Sequence, residues 1–199
     1  MAHRVFISYH HDNDQGHKNA LVKWANENDI FVDWSVDTGD ISDDLTDQQI
    51  REKIRDEYLR DSTVTIVLVG TETKNRKHVD WEIYSSMYDG KINKKSGIIA
   101  INLPSTNTSN CHAAHPGEHE NVFPHISSWT SVTERTEYER RHPYMPARII
   151  DNWLSGAKIS AISWGDLTVE RLKYMIEKAF EGRANCNYDL TQPMKRRNS

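Results

Sequence analysis

Thr63-Val64-Thr65-Ile66-Val67-Leu68-Val69 is the stretch whose reading decides the fold. Every residue in it is β-branched or aliphatic, and no clean polar alternation interrupts it. Both properties belong to a strand buried on two faces, as at the centre of a parallel sheet. Gly70 and a polar loop follow. A segment from about His78 to Asp89 then carries Val79, Ile83 and Met87 at helical spacing and stops at Gly90. Gly97 to Leu103 (GIIAINL) supplies the next buried strand. A strand, a helix and a second strand in that order predict a right-handed crossover between parallel neighbours.

The same rhythm extends toward the N-terminus. Arg4 to Tyr9 (RVFISY) reads as strand one, emptying into a polar loop at His10 to Asp14. Beyond Gly16, Leu21, Trp24 and Ala25 fall on one helical face, and Ile30 to Val32 form a second short strand. Ser35 to Asp44, with Gly39 and four aspartates, is a loop. Ile50, Ile54 and Tyr58 then mark an amphipathic helix that ends near Asp61. Alternation at this pace predicts a three-layer α/β fold with a mostly parallel sheet covered on both sides.

The second half breaks the rhythm. Residues 104–146, rich in Asn, Ser, Thr, His and Pro, are expected to form an irregular excursion, with a short element at Ala147 to Trp153. A terminal amphipathic helix over about 168–182 carries Val169, Leu172, Ile176, Ala179 and Phe180. Residues 183–199 are expected to be a flexible tail ending in the solvated basic group Lys195, Arg196 and Arg197. The whole of 1–199 reads as one domain.

Composition removes several function classes. A net charge of −4 lacks the basic excess that nucleic-acid binding requires. Two cysteines, Cys111 and Cys186, are too few for a disulfide framework, and no apolar run reaches the length of a membrane span or a signal-peptide core. A cytoplasmic location is the default expectation, with neither nucleic acid nor membrane as partner. Neither G-x-G-x-x-G nor G-x-x-x-x-G-K-[ST] occurs. His115 to His119 spells H-x-x-E-H, a zinc-peptidase pattern only when it lies on a helix. Pro116 and Gly117 inside it disfavour one, so no metal is expected.

In an open parallel sheet, ligands bind beyond the carboxyl ends of the strands. That rule selects Ser8, Tyr9, His10 and His11 after strand one, Asp33, Ser35 and Asp37 after strand two, and the helix start at Lys77 to Ile83. There His78, Glu82 and Ser86 run on a line beside the Val79–Ile83–Met87 stripe, which places Glu82 off the core as a surface carboxylate at the sheet's rim. By itself such a glutamate is ordinarily a solvated charge.

Four motifs in order change that weight: R-V-F-I-S-Y-H at Arg4 to His10, the acidic loop Asp37 to Asp44, V-T-I-V-L-V-G at Val64 to Gly70, and R-K-H-V-D-W-E-I at Arg76 to Ile83. Over residues 3–103 the chain resembles the TIR-like domains of bacterial Thoeris-type anti-phage defence systems. The resemblance implies a flavodoxin-like sandwich and a loop after the second strand that borders the pocket. It also implies Glu82 as the catalytic residue of NAD⁺ cleavage and Phe6 as a pocket residue. TIR enzymes commonly carry Trp four positions before the glutamate; here that position is His78, and Trp81 directly precedes Glu82.

The chemistry suits one carboxylate. Nicotinamide leaves the cationic ring neutral and needs no proton, while oxocarbenium character develops on the ribose, where a carboxylate can stabilise the charge or trap the sugar. Phe6, Tyr9 or Trp81 could hold the ring by stacking. NAD⁺ is then the substrate, with no further cofactor. With no second domain in the sequence, the expected product is an ADP-ribose-derived or cyclic nucleotide signal for a separate effector protein. A homo-oligomer and a phage-derived activator are expected partners. The rival readings are a non-catalytic TIR-type interaction module and a nucleoside deoxyribosyltransferase-like enzyme.

Overall fold

A computed structural model describes residues 2–35, 41, 44–90 and 93–199. Five strands, β1 (His3–Ser8), β2 (Phe31–Asp33), β3 (Val64–Val69), β4 (Gly97–Asn102) and β5 (Ile159–Ser163), form one sheet in the order β2-β1-β3-β4-β5. All four pairings are parallel. The stretch that decides the fold is the central strand: Val64 to Val69 pair on one side with Val5 to Ser8 and on the other with Gly97 to Asn102, and all six of its residues are buried.

Each strand divides its side chains between two layers, because successive residues point to opposite faces. Val5, Ile7, Ile66, Leu68, Ile99 and Ile101 pack toward α1 (His11–Glu27) and α7 (Val169–Gly182), whose Leu21, Ala25, Leu172 and Ile176 join that core. Val67, Val69, Ile98 and Ala100 face α3 (Lys77–Met87) and α6 (Ala147–Leu154) through Val79, Ile83, Ile149 and Trp153. α7 lies so close over β4 that a Cβ at Gly97 would meet the Ala179 carbonyl oxygen at 2.2 Å, so that crossing requires glycine. A third apolar group joins Phe6, Ile41, Ile50, Ile54 and Trp81 beside α2 (Asp47–Lys53).

The expected three-layer α/β sandwich is the fold, with three local differences. α1 begins at His11, inside the polar cluster expected to be a loop. Asp12 and Asp14 occupy its first turn, where acidic side chains favour the helix N-terminus. β5 follows α6 and was not anticipated. Residues 104–146 contain two short helices, α4 (Glu118–Asn121) and α5 (Arg135–Arg141), and His112 forms an antiparallel bridge with Ala161 on the outer side of β5.

The largest difference is the tail. The tail, expected to be flexible over 183–199, is anchored at several points: Cys186 and Met194 are each 3% exposed, Arg148 donates to the carbonyls of Gln192 and Pro193, and Trp81 Nε1 donates to the Lys195 carbonyl at 2.7 Å. Lys195 and Arg196 of the expected solvated end are anchored as well. The Lys195 amide donates to Asp80, and Arg196 pairs with Asp47. No helix among the described residues is long and apolar enough to cross a membrane.

Candidate active site

β1 and α3 meet at a buried polar contact. The Ser8 hydroxyl, at the last residue of β1, donates to Glu82 Oε2 at 2.6 Å. Alternation along β1 puts Phe6 and Ser8 on the α3 side, and Phe6 packs in the same apolar group as Trp81. Glu82 is 4% exposed, not the surface carboxylate expected from the helical stripe. The reason is geometric: α3 turns the Glu82–Ser86 line toward the sheet, where Glu82 meets Ser8 of β1 and Ser86 meets Thr65 of β3, so the buried arc reaches past Val79, Ile83 and Met87. One turn on, Ser86 donates to the Glu82 carbonyl and shares a 2.8 Å hydrogen bond with Thr65 of β3.

Burial dominates the carboxyl's titration. Loss of solvent pushes Glu82 up to about 8, against the opposing pull of the Ser8 hydrogen bond. Near neutral pH the closed site therefore holds a protonated acid beside a hydroxyl, with one oxygen already engaged.

The other expected site residues divide. Asp33 and Ser35 are built into the frame after β2: Asp33 binds Lys18 Nζ at 2.9 Å and the Ser35 amide at 3.0 Å, while Ser35 Oγ accepts from the Ile7 amide of β1 at 3.0 Å. They sit beside β1 at the expected end of the sheet. His78 packs edge-on to Trp81 with ring centroids 4.9 Å apart. Asp37 lies outside the described residues. Tyr9 is on the opposite layer, packed in the core with α1, stacked on His11 at 4.4 Å and bonded to Gln15. The structure does not bring it to Glu82. His10 caps the start of α1, 5% exposed, its ring nitrogens without hydrogen-bond partners apart from an ion-pair contact of 3.5 Å between Nε2 and Asp12.

A second buried carboxylate, Asp14, escaped the sequence reading. It is 4% exposed, and burial raises its pKa. It reaches Thr73 Oγ1 at 3.5 Å, at the junction where β1 and β3 hand their chains to opposite sides of the sheet. Gly70 ends β3 there because a Cβ would lie 2.5 Å from Asp14 Oδ2. The sequence held no direct signal for it, because Asp14 and Gly70 are far apart along the chain and meet only in the fold.

The H-x-x-E-H stretch is used for architecture. Glu118 accepts the amides of Ala114 and His115 and the Ser160 hydroxyl of β5, while His119 stacks on Trp129. Only Glu118 and His119 of the pattern enter α4. Among the described residues no cluster of three or more His, Cys, Asp or Glu side chains is placed to hold a metal ion.

A parallel sheet ordered 2-1-3-4-5, with a carboxylate from the helix after the central strand lying against the end of β1, defines the flavodoxin-like, TIR-type class. A family model described as Thoeris protein ThsB, TIR-like domain, matches residues 6–108, and the chain belongs to that family. No curated protein matches the chain.

Proposed function

We propose that the chain cleaves the nicotinamide–ribose bond of NAD⁺ and releases an ADP-ribose-derived, cyclic or linear, nucleotide that activates a separate effector in anti-phage defence. The observation that carries this reading is the Glu82 carboxyl held by Ser8 beside the Phe6–Trp81 pair. A single acid and an aromatic wall are what departure of a neutral nicotinamide needs. The acid works as its anion, because only the carboxylate stabilises the positive charge that grows on the ribose. NAD⁺ brings that requirement with it. Its cationic pyridinium, bound within a few ångströms, favours the ionised form and opposes the burial that holds Glu82 near 8.

At 4% exposure Glu82 is closed to a dinucleotide, so turnover starts from a rearranged state in which the cover over Phe6 and Trp81 has moved. The acidic loop after β2, expected to border the pocket, lies largely outside the described residues. Met194 of the tail and Ile41 of the loop, both in the same buried apolar group as Phe6 and Trp81, are described parts of that cover. An infection-derived factor or a second copy of the chain that holds the open state would raise activity by increasing its population.

Burial of Glu82 is also the observation that favours a second reading, a TIR-type module that signals by assembly without chemistry. Mass spectrometry of NAD⁺ incubated with the protein, alone and with lysate from infected cells, separates the two. Released nicotinamide that disappears with Glu82→Gln supports the enzyme, and no release from an activated preparation supports the module.

A further inference from the structure

Away from Glu82, residues 109–142 enclose an open cleft of about 550 Å³, within the range of small-molecule sites. All of its lining lies beyond residue 108, where the family match ends. One wall is a preset stacking platform. Trp129, a large apolar side chain left 37% exposed, has the His119 ring flat against it at 4.1 Å and 8°. Phe123, fully buried, supports it edge-on at 5.5 Å. A tryptophan clamped in one orientation with part of its surface in solvent has lost its rotamer freedom before any ligand arrives, which lowers the cost of binding.

The rest of the lining is largely polar and carries one cation. His112, stacked on Trp153 at 4.7 Å, and Tyr138 lead to Arg141 and His142. Among the described lining residues there is no carboxylate, and Arg141 is the one formally charged side chain. Arg141 bonds Glu137 through Nε at 2.6 Å, but Arg140 bonds the same carboxylate, so two guanidiniums share one negative charge and a net positive charge remains at the rim. His142 is 3% exposed, and its Nδ1 has no hydrogen-bond partner. A buried polar atom without a partner commonly marks the place of an absent water or ligand.

We propose that this cleft is a second ligand site, independent of Glu82, for a planar aromatic molecule carrying an anionic group, with a nucleoside monophosphate as its type. The ring stacks on Trp129, the anion meets Arg141, and His142 supplies a hydrogen bond. Burial lowers His112 and His142 to about 4, so both are neutral at physiological pH and the attraction for an anion rests on the arginine.

The test uses the full chain and calorimetric titration with AMP, adenosine and ribose 5-phosphate. AMP should bind saturably. Adenosine, lacking the anion, and ribose 5-phosphate, lacking the ring, should each bind at least tenfold more weakly. Trp129→Leu should weaken AMP at least tenfold, and Arg141→Gln should bring AMP to the level of adenosine. His119→Ala, which loosens the platform without removing it, should weaken AMP by a smaller factor; it keeps the test open if Trp129→Leu fails to fold. Glu82→Gln should bind AMP as the wild type does. Absence of saturable AMP binding would overturn the site. So would AMP binding that survives Trp129→Leu and Arg141→Gln but is lost with Glu82→Gln, because the ligand would then sit at the other centre.

Discussion

Ser8 and Glu82 stand 74 residues apart in sequence, yet the hydroxyl and carboxyl are 2.6 Å apart and both are out of solvent. Replacing Glu82 with Gln keeps the shape and an oxygen for Ser8 to donate to, so Glu82→Gln should fold while NAD⁺ turnover falls at least a hundredfold. Ser8→Ala removes the one interaction that lowers the Glu82 pKa. The rising limb of its rate against pH should therefore move to higher pH. Initial rates of nicotinamide release from pH 6 to 9 check both, and a wild-type rate in Glu82→Gln would remove Glu82 from the chemistry.

The same carboxyl makes stability depend on pH. Its folded-state pKa, about 8, lies above the ordinary 4.5, so between those values the unfolded chain releases a proton that the folded chain keeps. Stability from this group is complete below 4.5 and is lost as pH rises through about 8. Urea midpoints across that window should fall more steeply with pH for the wild type than for Glu82→Gln; parallel curves would mean that Glu82 is not buried in solution.

Two histidines act in the opposite sense. His112 and His142, held near 4 by burial against the ordinary 6.5, stay neutral in the folded chain while the unfolded chain takes up protons. Their contribution is present above 6.5 and is lost as pH falls through about 4. His112→Phe keeps a ring against Trp153 and should reduce the acid-side loss, read as the shift in melting temperature between pH 7 and pH 4.5.

Asp80 and Arg148 form a two-bond ion pair at 2.8 and 3.0 Å whose charged ends also hold the tail at Gln192, Pro193 and Lys195. Removing one partner of a buried pair costs roughly 3–5 kcal/mol. Asp80→Ala should show that loss together with faster amide exchange over 186–199. Met194→Ser leaves the pair intact and loosens the cover beside Phe6 and Trp81, so it should raise basal nicotinamide release several-fold. An unchanged basal rate in a variant whose tail exchanges freely would show that the tail does not limit access.

The α/β alternation and parallel sheet were legible because strands such as Thr63 to Val69 and Gly97 to Leu103 carry their burial in composition. That Ser8 and Glu82 lie at one end of the sheet followed from the rule that ligands bind beyond the strand ends, while the order β2-β1-β3-β4-β5 and the contact between the two came with the structure. β5 was missed because Ser160 breaks its apolar pattern, and the hydroxyl of that buried serine is satisfied by Glu118, 42 residues away. The tail left little trace because it is held largely through its backbone: carbonyls of Gln192, Pro193 and Lys195 and the Lys195 amide make the bonds, and Met194 is its apolar anchor beside Phe6. Glu82 was placed off the core because the periodicity marks only the apolar residues that meet the sheet, and Glu82 meets it through a polar contact with Ser8.

The bridge between His112 and Ala161 closes on two backbone hydrogen bonds of 2.9 Å along the outer side of β5. That side would otherwise offer unpaired amides and carbonyls for another chain to extend. A chain approaching β5 from outside therefore meets Ala161 already bonded on both its amide and its carbonyl, and cannot extend the sheet through that residue without displacing His112.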